Sequence, residues 1–202
     1  MSGAHKFDDM KGSLLKIFIA LATCLPLTSC NYNSLVEKQQ NVEQSWAQVQ
    51  NQYQRRADLI PNLVNTVKGY STHESETFQK VTEARAKATS ITIEADNLTE
   101  ENLAKFQAAQ NELSQALKSL LAVSEAYPDL KANENFMNLQ TQLEGTENRI
   151  ATERKRYTES VRDYNTAIKK FPTVIYAGWF GFNEKPQFKA DETAQSAPVV
   201  SF

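Results

Sequence analysis

Residues 35–70 read LVEKQQNVEQSWAQVQNQYQRRADLIPNLVNTVKGY. Apolar side chains recur in this stretch at alternating spacings of three and four residues: Leu35, Val42, Trp46, Val49, Tyr53, Ile60, Leu63, Val67 and Tyr70. This period predicts one long α-helix whose apolar seam packs against other helices, in the manner of a coiled coil. At 1.5 Å per residue the helix would be about 54 Å long. Two positions of the seam are polar, Gln39 and Arg56.

The rest of the chain predicts three more helices, separated by helix-ending and helix-capping residues. The expected boundaries are, in chain order, Gly69, a capping box at Ser71–Glu74, an N-cap at Thr99, Pro128, an N-cap at Asn133, and Pro172. The expected core positions are Phe78, Val81 and Ala88 in the second helix, Leu103, Phe106, Leu113, Leu117 and Leu120 in the third, and Phe136, Leu139, Leu143, Ile150, Tyr157, Val161, Tyr164, Ile168 and Phe171 in the fourth.

Short connections between four helices predict an all-α fold, a long antiparallel up-down four-helix bundle. The first and fourth helices are about twice as long as the second, so they would form a stalk that the shorter pair covers. A longer three-helix arrangement is the main alternative.

The N-terminus has the layout of a bacterial secretory signal. Lys11 and Lys16 precede an apolar run at Ile17–Leu27, which is too short to span a bilayer. Leu27-Thr28-Ser29-Cys30 resembles a lipobox, in which the cysteine is acylated and becomes the first mature residue. We expect a signal peptide at residues 1–29. Met10 is an alternative start, because Asp8 and Asp9 do not suit a basic start. An ordinary signal peptide or an uncleaved anchor is the alternative.

Composition argues against several classes of function. Cleavage before Cys30 would leave 19 basic and 22 acidic residues, without the concentrated basic face that nucleic acid requires. Cys24 would be removed and Cys30 acylated, so no disulfide is expected. His73 is the single histidine of the mature chain, so we expect no metal site and no cofactor. No catalytic constellation is found, and we expect a protein that is not an enzyme.

Several segments resemble the LemA family of bacterial membrane proteins. The most specific is RRADLIPNLV at residues 55–64, and the others are VKGY at 67–70, VTEAR at 81–85, ENRI at 147–150, YNTAI at 164–168, Phe171-Pro172 and Gly181-Phe182. The resemblance implies a helical bundle held at a membrane, with its body outside the cytoplasm, and no established activity or cofactor. This chain differs by having an apparent lipobox where the family usually has an apolar anchor helix.

Arg56 is the first candidate site residue, since a charge on an apolar seam is costly unless paired. If Leu35 lies opposite Phe171, antiparallel pairing brings Arg56 near residue 150, between Glu147 and Glu153. Arg154 would then face the level of Tyr53. One interpretation is a structural salt-bridge cluster that fixes helix register. The other is a recognition patch formed by Arg55, Arg56, Asp58 and Asn62.

Pro61 is the second candidate, because proline lacks an amide hydrogen and its ring pushes against the carbonyl of Ala57. The helix is therefore expected to bend or restart there, with Asp58 as the cap of a restart. A fixed kink and a moving hinge are both open.

Residues 171–182 form an apolar, aromatic segment that is expected at the same end of the bundle as Cys30. The membrane-interface candidates are Phe171, Tyr176, Trp179, Phe180 and Phe182. They would either enter the lipid headgroups or plug the bundle end. The bundle is predicted to cover residues 30–182, with a tail at 183–202 that is expected to be disordered, above all from Lys189 onward.

Two functions from different classes fit these observations. The first is a membrane-tethered scaffold or adaptor of the cell envelope, lipid-anchored in the cell membrane or outer membrane with its body in the periplasm, that binds another envelope protein. The second is a small-ligand or lipid-binding module that uses an apolar groove of the bundle. A packed core would favour the first and a large dry cavity the second.

Overall fold

The computed structural model describes the backbone of residues 4–71 and 73–189 and the side chains of residues 32–71 and 73–189. This part of the chain contains five α-helices and no strand. They are α1 (Ala4–Lys68), α2 (Ser75–Ser90), α3 (Glu100–Val123), α4 (Pro128–Lys131) and α5 (Glu134–Lys169). The all-α prediction is confirmed.

The long helices α1 and α5 form an antiparallel pair. Ser45 Oγ lies 2.7 Å from Ser160 Oγ, and Arg56 Nη1 lies 2.8 Å from Glu147 Oε1, so the α5 number falls as the α1 number rises. The shorter helices α2 and α3 form a hairpin that packs on this pair. Within the hairpin, Gln110 Nε2 donates to the Ala88 carbonyl oxygen at 3.3 Å.

The apolar core consists of two clusters that follow one another along α1. The first lies around α1 residues 35–53 and includes Trp46, Phe106, Tyr157 and Tyr164. The second lies around α1 residues 60–67 and is closed by the α2–α3 hairpin and the start of α5. Buried polar side chains lie between them, chiefly Arg56 and Gln110. The seam read from the sequence is therefore the real contact line over most of its length.

The predicted apolar stripes of α1 and α5 were each extended too far at the C-terminal end. Tyr70 is 41% exposed and Phe171 is 81% exposed. The helices end at Lys68 and Lys169, so the helical period no longer directs these two side chains toward the core.

The predicted capping box at Ser71–Glu74 is wrong. Helix α2 begins at Ser75 with Glu74 as N-cap, and no side chain caps it. The Ser71 amide donates to the Val67 carbonyl oxygen at 3.1 Å, so Ser71 still belongs to the turn that closes α1.

The other two predicted N-caps are confirmed. Thr99 Oγ1 accepts from the Asn102 amide at 3.2 Å, and Asn133 Oδ1 accepts from the Phe136 amide at 3.0 Å. The expectation that Pro128 stops the third helix is wrong, since α3 ends at Val123 and a 3₁₀ turn follows. Pro128 instead opens the one-turn helix α4, because the first helical position needs no amide hydrogen.

The predicted signal peptide falls in the N-terminal part of α1, whose backbone continues from Ala4 through residue 30. The side chains of this part, including Cys30, lie outside the described residues. Among the helices that the structure describes, none combines the length and the apolar character needed to span a bilayer.

Candidate functional site

Arg56 is the centre of a buried hydrogen-bond network that joins three helices. From α1, its Nη1 donates to Glu147 Oε1 of α5 and to Ser114 Oγ of α3, both at 2.8 Å. Its Nη2 donates to Gln110 on α3, at 2.6 Å to Oε1 and at 3.2 Å to the carbonyl oxygen. The Arg56 side chain is 1% exposed and that of Glu147 is 45% exposed. The network therefore holds a buried cation against a carboxylate that water still reaches.

Tyr53 completes the surroundings of the guanidinium. Arg56 Cζ lies 5.1 Å from the centroid of the Tyr53 ring, which in turn meets the Phe106 ring edge-on. Burial raises the pKa of the Tyr53 hydroxyl, and the nearby charges of Arg154 and Arg56 act in the opposite direction. The neutral Tyr53 phenol thus packs directly against the Arg56 guanidinium.

Antiparallel register alone identified Glu147 as a partner but missed the α3 residues. Gln110 lies four residues after Phe106 and three before Leu113, among the core positions predicted for the third helix. A polar residue at such a position could have indicated the contact with Arg56. Glu153, the other expected partner, pairs instead with Arg156 at 2.9 Å.

The recognition patch is corrected at one residue. Arg56 is buried and does not belong to it, whereas Arg55, Asp58 and Asn62 lie exposed on the outer side of α1. The burial of Arg56 fits the salt-bridge interpretation, because its charged group faces neighbouring helices and not solvent.

Pro61 does not interrupt α1, which is helical through Lys68. The expected restart with Asp58 as its cap is therefore wrong, and Asp58 Oδ1 accepts from Gln54 Nε2 at 2.8 Å. Proline leaves the carbonyl of Ala57 without its helical donor. Arg85 Nε, from α2, donates to this carbonyl oxygen at 2.7 Å. The hairpin thereby supplies the hydrogen bond that the helix lacks.

A cluster of large apolar side chains lies exposed after α5, and we call it the aromatic cap. Its members are Phe171, Val174, Ile175, Trp179 and Phe180, with Trp179 84% exposed. Two of the predicted membrane-interface residues are not exposed in this way, since Phe182 is buried and Tyr176 is half-buried. The Tyr32 ring centroid lies 5.4 Å from that of Phe180 and 5.5 Å from that of Phe182. Tyr32 lies two residues after Cys30 in α1. The prediction that residues 171–182 lie at the same end of the bundle as Cys30 is therefore confirmed.

Residues 183–189 form an extended segment that packs back along α5, and we call it the strap. Asn165 and Tyr157 hydrogen-bond its backbone, and Phe188 packs against the first core cluster. The prediction that the folded domain ends at residue 182 is wrong for this part of the chain. A segment without helical period gives no sign of packing, although Pro186 and Phe188 supply apolar surface. Residues 190–202, the rest of the predicted tail, lie outside the described residues.

No group of three or more potential metal-ligating side chains lies close enough together to hold an ion within the residues described here.

Comparison with known proteins identifies the family. The family model described as "LemA family" matches residues 45–202, more than three quarters of the chain. The chain belongs to the LemA family. Its matching segments contact one another in the fold: Arg56 binds Glu147, and Arg85 binds the carbonyl of Ala57.

Curated relatives share about a quarter of the residues with this LemA-family chain. Protein LemA of Metamycoplasma hominis is 24% identical over 147 residues, covering 73% of this chain and 60% of the relative. Magnetosome protein MamQ 2 of Paramagnetospirillum magneticum is 25% identical over 206 residues, covering 94% of this chain and 74% of the relative. Magnetosome protein MamQ of Magnetospirillum gryphiswaldense is 24% identical with the same coverage. The chain thus spans about three fifths of the LemA relative and three quarters of the MamQ relatives.

Proposed function

We propose that this LemA-family protein is a membrane-tethered helical scaffold or adaptor of the bacterial cell envelope. Its aromatic cap would rest on lipid while the bundle presents a rigid surface to an envelope partner. The observation that carries the proposal is the aromatic cap, because five large apolar side chains exposed together indicate an interaction surface.

The proposed anchor lies beside this surface. Cys30 stands two residues before Tyr32, whose ring contacts Phe180 and Phe182 of the segment after α5. We propose that Cys30 carries the acyl chains of a lipoprotein and that the body lies in the periplasm. Tryptophan and tyrosine favour the membrane interface, so acyl chains and aromatic cap would engage the same leaflet.

The scaffold part of the proposal rests on rigidity. We propose that the four longer helices act as an up-down bundle, in which α5 alone has 36 residues and a length of about 54 Å. The Arg56 network ties α1, α3 and α5 together at mid-length, which supports a stiff arm. The exposed Arg55, Asp58 and Asn62 on that arm are candidate partner contacts.

The ligand-binding alternative is less well supported. The cavity beside the C-terminal end of α2, between Tyr53, Ala88 and Phe106, has a volume of about 190 Å³. Larger cavities of about 430 to 540 Å³ lie elsewhere and are lined mostly by polar and charged residues. Ligand pockets usually have about 300–1,000 Å³ and are mostly apolar. Glutamine, asparagine and threonine side chains make up about half of the lining of the cavity beside α2, so the cavities support a scaffold better than an apolar ligand site.

Trp179 fluorescence tests the membrane contact. In a chain that begins at Asn31 and carries Trp46→Phe, Trp179 is the remaining tryptophan. Vesicles of bacterial phospholipid should shift its emission to the blue and protect it from an aqueous quencher. The matched control is the chain with Trp179→Phe, in which buried Trp46 should report no shift. If Trp179 stayed fully quenchable at saturating lipid, the membrane-facing role of the aromatic cap would be rejected.

A further inference from the structure

Four hydrogen bonds hold the backbone of the strap. Asn165 makes two bonds to Lys185, donating from Nδ2 to its carbonyl oxygen at 2.8 Å and accepting its amide at Oδ1 at 2.9 Å. Tyr157 Oη donates to the Pro186 carbonyl oxygen at 2.7 Å, and Gln107 Nε2 donates to that of Lys189 at 2.9 Å. Such contacts recognise an extended chain with little regard to its side chains.

Side chains of the strap also make contacts. Glu184 pairs with Lys169 at 2.7 Å, and Lys185 Nζ donates to the Ala95 carbonyl oxygen at 3.2 Å. Pro186 is buried, and the Phe188 ring lies 5.4 Å from that of Tyr157 and 6.1 Å from that of Trp46. Arg154 Cζ lies 4.4 Å above the Phe188 ring, a cation–π contact. The neighbouring side chain of Gln187 is exposed. The groove therefore selects a proline followed two residues later by an aromatic residue.

The strap does not fill the groove. A cavity of about 540 Å³ lies at its start, between Gln39, Leu98 and Tyr164. Tyr164 lines this cavity, and its hydroxyl is buried without a hydrogen-bond partner among the residues that the structure describes. A second cavity of about 430 Å³ lies beside Phe188, against Arg154 and Thr158. Space for additional contacts thus remains on both sides of the bound segment.

We propose that this groove, between α5 and the N-terminal half of α3, is a binding site for an extended peptide segment of a partner protein. The partner segment carries proline followed two residues later by an aromatic residue, and the strap is its competitor within the chain. This inference deepens the adaptor part of the proposed function by naming the surface and the kind of partner.

Competition follows from the covalent link. A short tether gives the strap an effective concentration in the millimolar range, so it normally occupies the groove. A partner segment at micromolar concentration displaces it only by adding contacts, for which the two flanking cavities leave room. A segment no longer than the strap competes only at millimolar concentration.

A labelled peptide tests the inference. The probe is Asn-Glu-Lys-Pro-Gln-Phe-Lys, the sequence of residues 183–189, added to the full chain and followed by fluorescence anisotropy. Phe188→Ala should free the groove and bind the peptide at least tenfold more tightly than the wild type. Gln187→Ala, which changes an exposed strap residue, should behave like the wild type. Adding Asn165→Ala to the Phe188→Ala chain should abolish the gain.

The opposite result is equally clear. A folded Phe188→Ala chain that binds the peptide no better than the wild type would show that the strap is only structural packing. Should Phe188→Ala not fold, Lys185→Pro provides a second opening, since it removes the amide donated to Asn165 and lies outside the helices. In the wild type, millimolar peptide should also speed hydrogen exchange at the Lys185 amide, and unchanged exchange would overturn the proposal.

The assay contains no membrane, so it separates this inference from the tether. Peptide binding without Trp179 insertion would preserve the groove and reject the membrane contact. Trp179 insertion without peptide binding would do the reverse.

Discussion

At the residue scale, Arg56 shows how a charge can occupy an apolar seam. A lone buried guanidinium would cost several kcal/mol, but here four hydrogen bonds and a partly hydrated carboxylate compensate it. Glu147 was predictable because the apolar stripes at residues 35–70 and 136–171 are equally long and antiparallel neighbours share a register. Gln110 and Ser114 were not, because nothing in the sequence fixes the height of α3 against that pair.

Replacing Arg56 should therefore be costly. We expect Arg56→Ala to lower the free energy of unfolding by about 3 kcal/mol, because it leaves a cavity and strips Gln110 Oε1 of its donor. Arg56→Leu should lose less, since leucine refills part of the space. Urea unfolding measures both, with exposed Arg55→Ala as control and an expected change within about 0.5 kcal/mol. Equal, near-zero losses at Arg55 and Arg56 would contradict the buried network.

Tyr157 should make the fold sensitive to alkali. Burial raises the pKa of its hydroxyl well above the ordinary value of 10.0. Above pH 10 the unfolded chain releases this proton and the folded chain keeps it, so the wild type loses stability as pH rises. Tyr157→Phe should lower the free energy of unfolding by about 1 kcal/mol at pH 8, because the hydrogen bond to Pro186 is lost. Above pH 10 the difference from the wild type should shrink, because the variant has no hydroxyl to ionise at this position. Urea unfolding of both chains at pH 8 and pH 11 checks this, and a constant difference would refute it.

At the element scale, Pro61 of α1 and Arg85 of α2 are linked through the carbonyl of Ala57, which loses its helical donor to one and gains a hydrogen bond from the other. The sequence shows that Pro61 lacks an amide hydrogen, but the restart expected from it was wrong and the hydrogen bond from Arg85 was not predicted. Arg85 lies between Val81 and Ala88, and the pairing of α1 with α2 is not encoded in the period of either helix. The strap was missed for a related reason, because extended segments bind through their backbones and leave no periodic pattern.

Arg85 should matter only while Pro61 is present. In the wild type we expect Arg85→Met to cost about 1–2 kcal/mol, because the Ala57 carbonyl would be buried without a partner. In a Pro61→Ala background the restored amide at residue 61 bonds to that carbonyl, and the same change should cost little. A double-mutant cycle by urea unfolding should give a coupling energy of about 1 kcal/mol. Additive effects would mean that the Arg85 contact serves another purpose.

At the scale of the whole molecule, the fold has two unlike ends. The end near Tyr32 carries the aromatic cap, and the opposite end carries the turns around Tyr70 and Asn133, joined by a 2.8 Å hydrogen bond between their side chains. The equal lengths of the apolar stripes at residues 35–70 and 136–171, together with short connections, sufficed to predict that residues 171–182 return to the level of Cys30. The extra turn of α4 was not predictable, because Pro128 is equally suited to ending a helix and to opening one.

The proposed anchor can be tested against a matched cysteine. Cys30→Ser should block acylation and leave an unprocessed precursor without palmitate label, since no thiol would remain at the predicted cleavage site. Cys24→Ser changes the apolar core of the predicted signal and should mature normally. Metabolic labelling and gel mobility distinguish the two. A Cys30→Ser chain that matures and labels like the wild type would reject lipidation at this residue.

The hydrogen bond from Arg85 to the carbonyl of Ala57 also constrains how this chain can change through evolution. While Pro61 stands, loss of the arginine is penalised; once the proline is replaced, the arginine is free to drift. The reverse order of substitutions passes through a weakened ancestor. The order of substitution at these two positions is therefore constrained: replacement of Pro61 must come before replacement of Arg85 if neither step is to destabilise the fold.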